Sequence, residues 1–152
     1  MNSEAGQELV VVGVDGSTES VAALRWAARY AAATGARLQA VRAWHYPAAA
    51  GEAPVGVAPD AIRAQTDEQM HQTLDEAIAK VYPGQEAPGV EKVTAYGHPA
   101  QALIELSREA DLLVVGSQGH GAFTGMLVGS VSIHCVTGAH CPVVVVRSSD
   151  GH

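Results

Sequence analysis

The residues best placed to do chemistry lie in one glycine-rich stretch. It runs from Gly116-Ser117-Gln118-Gly119-His120-Gly121 through Gly125 to Gly129-Ser130-Val131-Ser132. Apolar residues precede Gly116, and a short helical pattern follows Gly129. A loop of this kind exposes successive main-chain N–H groups with no side chain in the way. The start of the helix behind it adds unpaired N–H groups and a partial positive charge. Ser130 and Ser132 add hydroxyl donors. These residues form a cradle for an anion, and phosphate is the common one. Two familiar phosphate loops are excluded. There is no Gly-Lys-Ser/Thr, so this is not a P-loop. No Gly-x-Gly-x-x-Gly opens a helix after the first strand, and Gly119-x-Gly121 is followed by Gly125, one residue too late.

Other reactive side chains do not assemble into a pattern. The pairs His134-Cys135 and His140-Cys141 are spaced too widely for a zinc site of C-x2-C type, and free thiols in or near the core are the expected reading. His120 is a lesser candidate for facing a phosphate, and His98 reads as the residue before a helix. No Ser-His-Asp or Cys-His set stands in one region. The glycine-rich loop lacks a lysine to stabilise phosphoryl transfer, so any such chemistry should be slow. Trp26 and Trp44 read as core or rim aromatics.

These residues must be held by a scaffold, and its composition is that of one folded domain. The chain has 152 residues, 47% of them apolar and 16% charged, with a net charge of −7. That balance excludes disorder. The acidic surface disfavours nucleic acid and anionic lipid. No apolar run has the length of a membrane span. The first residues carry Glu4 and Glu8 and no basic run, so no secretory signal is expected. With only Cys135 and Cys141, a reducing cytoplasm is the expected compartment. One domain is expected over 1–152, with tails at 1–8 and 148–152.

The pattern along the chain alternates strand and helix. Residues 9–14 form a fully apolar strand, followed by the turn Asp15-Gly16-Ser17. Ser17 or Thr18 then caps a helix that reaches Thr34, with Val21, Leu24, Ala28 and Ala31 on its buried stripe and Gly35 beyond its end. Residues 36–44 are a second strand, and 45–59, rich in proline, a surface loop. Residues 60–81 are a long helix with Met70, Leu74, Ala77 or Ile78, and Val81 inward. Residues 90–96 are a weaker strand, interrupted by Glu91 and Lys92. Pro99 opens a helix with the stripe Leu103, Leu106 and Ala110. Residues 111–116 and 142–147 are the last strands, with a loop over 117–128 and a short helix over 129–138 between them. This order predicts an α/β fold: an open parallel sheet of five strands with helices on both faces.

The spacing Gly116-x2-Gly119-x9-Gly129-Ser130, the opening VVVGVDGS, the strand ADLLVVGSQGHG and the ending CPVVVVR resemble the universal stress protein family over essentially the whole chain. The resemblance implies a Rossmann-like sheet of the adenine nucleotide alpha hydrolase type, in the order 3-2-1-4-5. In such a sheet the order reverses between strands one and four, and ligands bind at that switch point. The resemblance also implies a nucleotide site. Asp15 falls beside the ribose or its Mg²⁺, with Gly13, Val14 and Gly16 completing that turn. The main chain of Val41 falls at the adenine edge. Val115, Gly116, Gln118 and Gly119 fall on the ribose side, and Gly129, Ser130, Val131 and Ser132 at the phosphates. Members of the family often carry His or Arg at the position of Gln118, so this chain lacks a positive charge there and should hold a triphosphate less tightly. The resemblance further implies a homodimer through the last strand, Val143, Val144, Val145 and Val146, whose edge is otherwise unprotected.

The resulting expectation is a cytoplasmic stress-response protein that is no enzyme, with ATP and Mg²⁺ as a regulatory ligand that orders residues 45–59. The alternatives are a cyclic AMP-binding protein, and a structural or chaperone-like dimer that uses no nucleotide.

Overall fold

The computed structural model describes residues 6–44, 59–84, 89–118 and 129–148. Val10, Val11 and Val12 in strand β1 (Leu9–Gly13) are fully buried, so both of its faces must be covered. Helix α1 (Thr18–Thr34) follows, and β2 (Arg37–Trp44) returns beside β1 in parallel. Helix α2 (Pro59–Val81) leads to β3 (Glu91–Tyr96), and α3 (Pro99–Leu106) to β4 (Leu112–Gly116). Helix α4 (Ser130–Gly138) then leads to β5 (Val143–Val146). All strand pairs are parallel, and the sheet order is β3-β2-β1-β4-β5. The sequence of elements and the order of the strands are those expected.

The pleat sends alternate residues to opposite faces. Val10, Val12, Leu38, Ala40, Leu112 and Val114 join α1 and α2 in one core cluster. Val11, Val41, Leu113 and Val115 meet Leu103 of α3 and Cys135 of α4 in another. The stripe of α1 is built largely from alanine, and Ala23, Ala27, Ala28 and Ala31 are buried with Val21 and Leu24. Gly35 closes that helix at φ 76°, and its N–H donates to Ala31 O at 2.8 Å. Few residues but glycine adopt this left-handed conformation without strain.

Glu91 and Lys92, which break the apolar run of β3, are exposed on the edge strand and pair with Arg37 at 3.1 Å and Asp75 at 2.7 Å. The stripe Leu103, Leu106, Ala110 outlasts its helix, because α3 ends at Leu106. The buried Ser107 hydroxyl donates to Ile104 O and accepts the His140 N–H at 2.9 Å, and Ala110 packs on the same cluster from the turn beyond. Trp26 is a rim aromatic stacked on Tyr30, with ring centroids 5.4 Å apart. The expected loops at 45–59 and 117–128 fall mostly outside the described residues; Pro59 already belongs to α2, and Ser117 and Gln118 follow β4. His120 and Gly119 lie outside them too.

Candidate nucleotide site

The strand order reverses between β1 and β4, and the carboxyl ends of these strands border a cavity of about 280 Å³. That volume is near the lower end for small-molecule sites. Each wall comes from a different element. Gly13, Val14 and Asp15 close β1, and Ser20 adds the first turn of α1. Val41, Arg42 and Ala43 come from β2, Pro99 and Leu103 from α3, and Val115, Gly116 and Gln118 from the end of β4. The start of α4 supplies Gly129, Ser130, Val131 and Ser132. The structure therefore gathers most of the expected residues around one space. Gly16 is not among the lining residues. Its φ of 88° lets the chain turn from β1 into α1, a conformation that favours glycine.

The turn after β1 is tied by its own side chains. Asp15 Oδ1 accepts the Ser17 N–H at 2.9 Å and the Ser17 hydroxyl at 2.5 Å. Ser17 Oγ caps α1 by accepting the Ser20 N–H at 3.2 Å, and Ser20 Oγ donates to Ser17 O at 3.0 Å. This local network fixes the carboxylate at the cavity wall. The Val14 N–H donates to Val41 O at 2.8 Å and so joins the ends of β1 and β2.

The opposite end of the cavity has another character. Gly129 precedes α4 as its N-cap, and among the described residues no side chain caps that helix. The Ser132 hydroxyl is turned inward and donates to Ser117 O at 3.0 Å and Gly129 O at 3.3 Å. Its proton is engaged within the fold, so among the described residues the donors left at the start of α4 are main-chain N–H groups and the exposed Ser130 hydroxyl. The Ser132 bonds and the Gly129 N–H on Ser117 O clamp the start of α4 to the end of β4.

Gly116 serves packing. A Cβ there would lie 2.8 Å from the main-chain carbon and oxygen of Glu19 in α1. Only glycine lets the end of β4 approach α1 so closely. The floor of the cavity is apolar, formed by Val41, Leu103 and Val115, all nearly buried. Among the described lining residues, the charged ones are Asp15 and Arg42. Arg42 Nε is buried with no hydrogen-bond partner among the described residues.

Ser20, Arg42, Ala43, Pro99 and Leu103 were not expected in this wall. One signal pointed to two of them. A helix that follows a parallel strand starts at the carboxyl end of the sheet, and Pro99 and Leu103 lie one turn apart at such a start. Elsewhere, Cys135 is buried and Cys141 half-buried, both as free thiols, and burial pushes the Cys135 thiol up to about 11. Among the described residues, no three His, Cys, Asp or Glu side chains gather to hold a metal ion. None of the described helices is long and apolar enough to cross a membrane.

Known proteins resemble this chain in sequence and in fold. A universal stress protein of Mycobacterium tuberculosis is 36% identical over 152 residues, which cover 98% of this chain and 50% of that protein. Another, from Mycobacterium bovis, is 35% identical over 99% of this chain and 51% of its own length. The chain thus spans about half the length of the curated relatives it matches. Among solved structures, a universal stress protein from Lactobacillus plantarum superposes with a TM-score of 0.74 at 25% identity, covering 92% of this chain and 97% of that one. A universal stress protein in complex with cAMP superposes at 0.64 with 32% identity, covering 94% and 98%. The sequence pattern described as Universal stress protein family matches residues 8–147, and the chain belongs to that family.

Proposed function

We propose that the cavity binds an adenine nucleotide as a regulatory ligand, with ATP and Mg²⁺ as the physiological form, in a homodimer located in the cytoplasm. One observation carries this reading. A single cavity at the switch point joins an apolar floor, a fixed carboxylate and the uncapped start of a helix. A purine base suits the floor of Val41, Leu103 and Val115. Asp15 suits ribose hydroxyls or a Mg²⁺ ion, which takes carboxylate oxygens. The N–H groups at Ser130 and Val131 suit a phosphate. Gly119 completes the ribose side of this reading.

Bound Mg²⁺ would screen the charge of the phosphates. The chain's own residues would bind and orient the nucleotide. No lysine lines the described wall, and we read the protein as a binding protein with at most slow ATP hydrolysis. A bound ligand would act through different affinities for two conformations.

Two observations favour cyclic AMP as a second reading. The inward Ser132 hydroxyl removes one of the two expected serine donors for a triphosphate. A structural relative at 32% identity is in complex with cAMP. For the dimer, β5 is the sheet edge, paired on one side with β4, and its four valines are half-buried. Ile133 and Val136 on α4, the helix that leads into β5, are exposed apolar residues as well.

The test is mass spectrometry of the small molecules released from purified protein, followed by calorimetric titration with ATP, ADP and cyclic AMP, with and without Mg²⁺. Tightest binding of ATP with Mg²⁺ supports the first reading. Tightest binding of cyclic AMP selects the second. No binding at millimolar nucleotide overturns both. Sedimentation of the wild type and of Val144→Lys tests the dimer.

A further inference from the structure

Gly13 ends β1 at the cavity wall, yet its backbone is not in the left-handed region that requires glycine. Space supplies the reason instead. A Cβ on Gly13 would lie 2.9 Å from Leu103 Cδ1, 3.6 Å from Cδ2 and 3.8 Å from Cγ. Leu103 reaches across from α3 and covers the notch that a side chain at position 13 would fill. Gly13 pairs in register with Val41, and Leu103 packs in one cluster with Val41 and Val115. The Leu103 side chain is nearly buried and forms part of the apolar floor.

We infer that Leu103 is the residue that sets the depth of the cavity under the base, and that Gly13 is a glycine in order to seat it. The inference rests on the adenine-nucleotide reading and deepens it by naming a specificity-determining residue. The contact at position 13 is with the flexible tip of a leucine. A methyl group there would therefore displace Leu103 while the strand holds, and the displaced isobutyl group would change the floor of the site. A methylene more or less in an apolar pocket shifts affinity by a factor of about 10 to 200. Leu103 thus limits how deep a flat apolar group can sit against Val41.

The experiment is a set of ATP titrations by calorimetry on wild type, Gly13→Ala, Leu103→Val and Gly13→Ala/Leu103→Val, with melting curves to confirm folding. Gly13→Ala is expected to weaken ATP binding about tenfold. Shortening Leu103 in the double variant makes room for the new methyl group and should recover most of that loss. Recovery of affinity by a second substitution is not expected if Leu103 only stabilises the core. Cyclic AMP should follow the same pattern, because both ligands carry the same base. An unchanged affinity in Gly13→Ala overturns the inference, as does a double variant no tighter than Gly13→Ala. If the wild type binds no adenine nucleotide, the functional reading falls, and this inference with it.

Discussion

At the start of α1, Asp15, Ser17 and Ser20 satisfy one another, and Glu19 places an acidic side chain in the first turn. At the start of α4 stands Gly129, with no side-chain cap and no acidic residue in the first turn. Both helices border the same cavity at the carboxyl end of a strand. The partial positive charge of α1 is met by the protein's own acids, whereas α4 carries no acid in its first turn. Two helix starts a short distance apart therefore differ in kind: one closes the fold, and the other is open to an anion. In the proposed reading, this contrast supports α4 as the phosphate end and Asp15 as the sugar or metal end.

The most direct way to break this contrast is to give α4 the acid it lacks. Ser130→Asp should weaken ATP and cyclic AMP binding about 100-fold, because like charges would meet at the proposed phosphate position. An acid in the first turn favours the helix, so the melting temperature should hold or rise. Undiminished affinity by calorimetry would remove α4 from the site. Gly116→Ala tests the packing between the two regions. Its Cβ would meet the Glu19 main chain, and urea unfolding should show a loss of about 2 kcal/mol. That loss also means that a binding defect at position 116 must be read alongside stability.

Ser17→Ala removes the cap of the closed helix. It should lower the unfolding free energy by about 1 kcal/mol and, because Ser17 also holds the Asp15 carboxylate, weaken nucleotide binding less than Ser130→Asp does. A loss as large as that of Ser130→Asp would show that the placement of the Asp15 carboxylate carries as much of the binding as the start of α4 does. Arg42→Met removes the buried guanidinium Nε that has no partner, and denaturant unfolding of the ligand-free protein should show a gain of about 1 kcal/mol. The mildest test titrates the buried side of α4. Burial raises the Cys135 thiol to about 11 from the 9.0 of an ordinary thiol. The folded thiol stays neutral while the unfolded one ionises, so this contribution to stability is intact below pH 9.0 and is lost as pH rises through about 11. Cys135→Ala should flatten the fall in denaturant midpoint across that window.

Much of this was legible before the structure. The apolar runs at β1, β4 and β5 are too continuous for strands with a solvated face, so they announced a parallel sheet covered on both sides. Ser17 and Gly35 marked the two ends of α1 because capping is local chemistry. The spacing from Gly116 to Ser130 marked where an anion would be met, since a glycine-rich run between strand and helix exposes N–H groups whatever surrounds it. The order of the strands came from the family pattern, because periodicity alone does not order a sheet.

Other features required the packed chain. Whether Ser132 offers its hydroxyl outward or turns it to Ser117 depends on where β4 ends relative to α4, and sequence spacing does not set that. Gly116 reads as a ligand glycine until α1 is seen against it. Arg42 and Leu103 reach the cavity from β2 and α3, elements far apart in sequence that only the crossovers bring together. The sequence by itself determined the elements, their caps and the glycine-rich loop, because these follow from local backbone chemistry and hydrophobic period. The tertiary structure decided which donors remain open and which side chains floor the site, because close packing between distant elements leaves each of those atoms one neighbour rather than another.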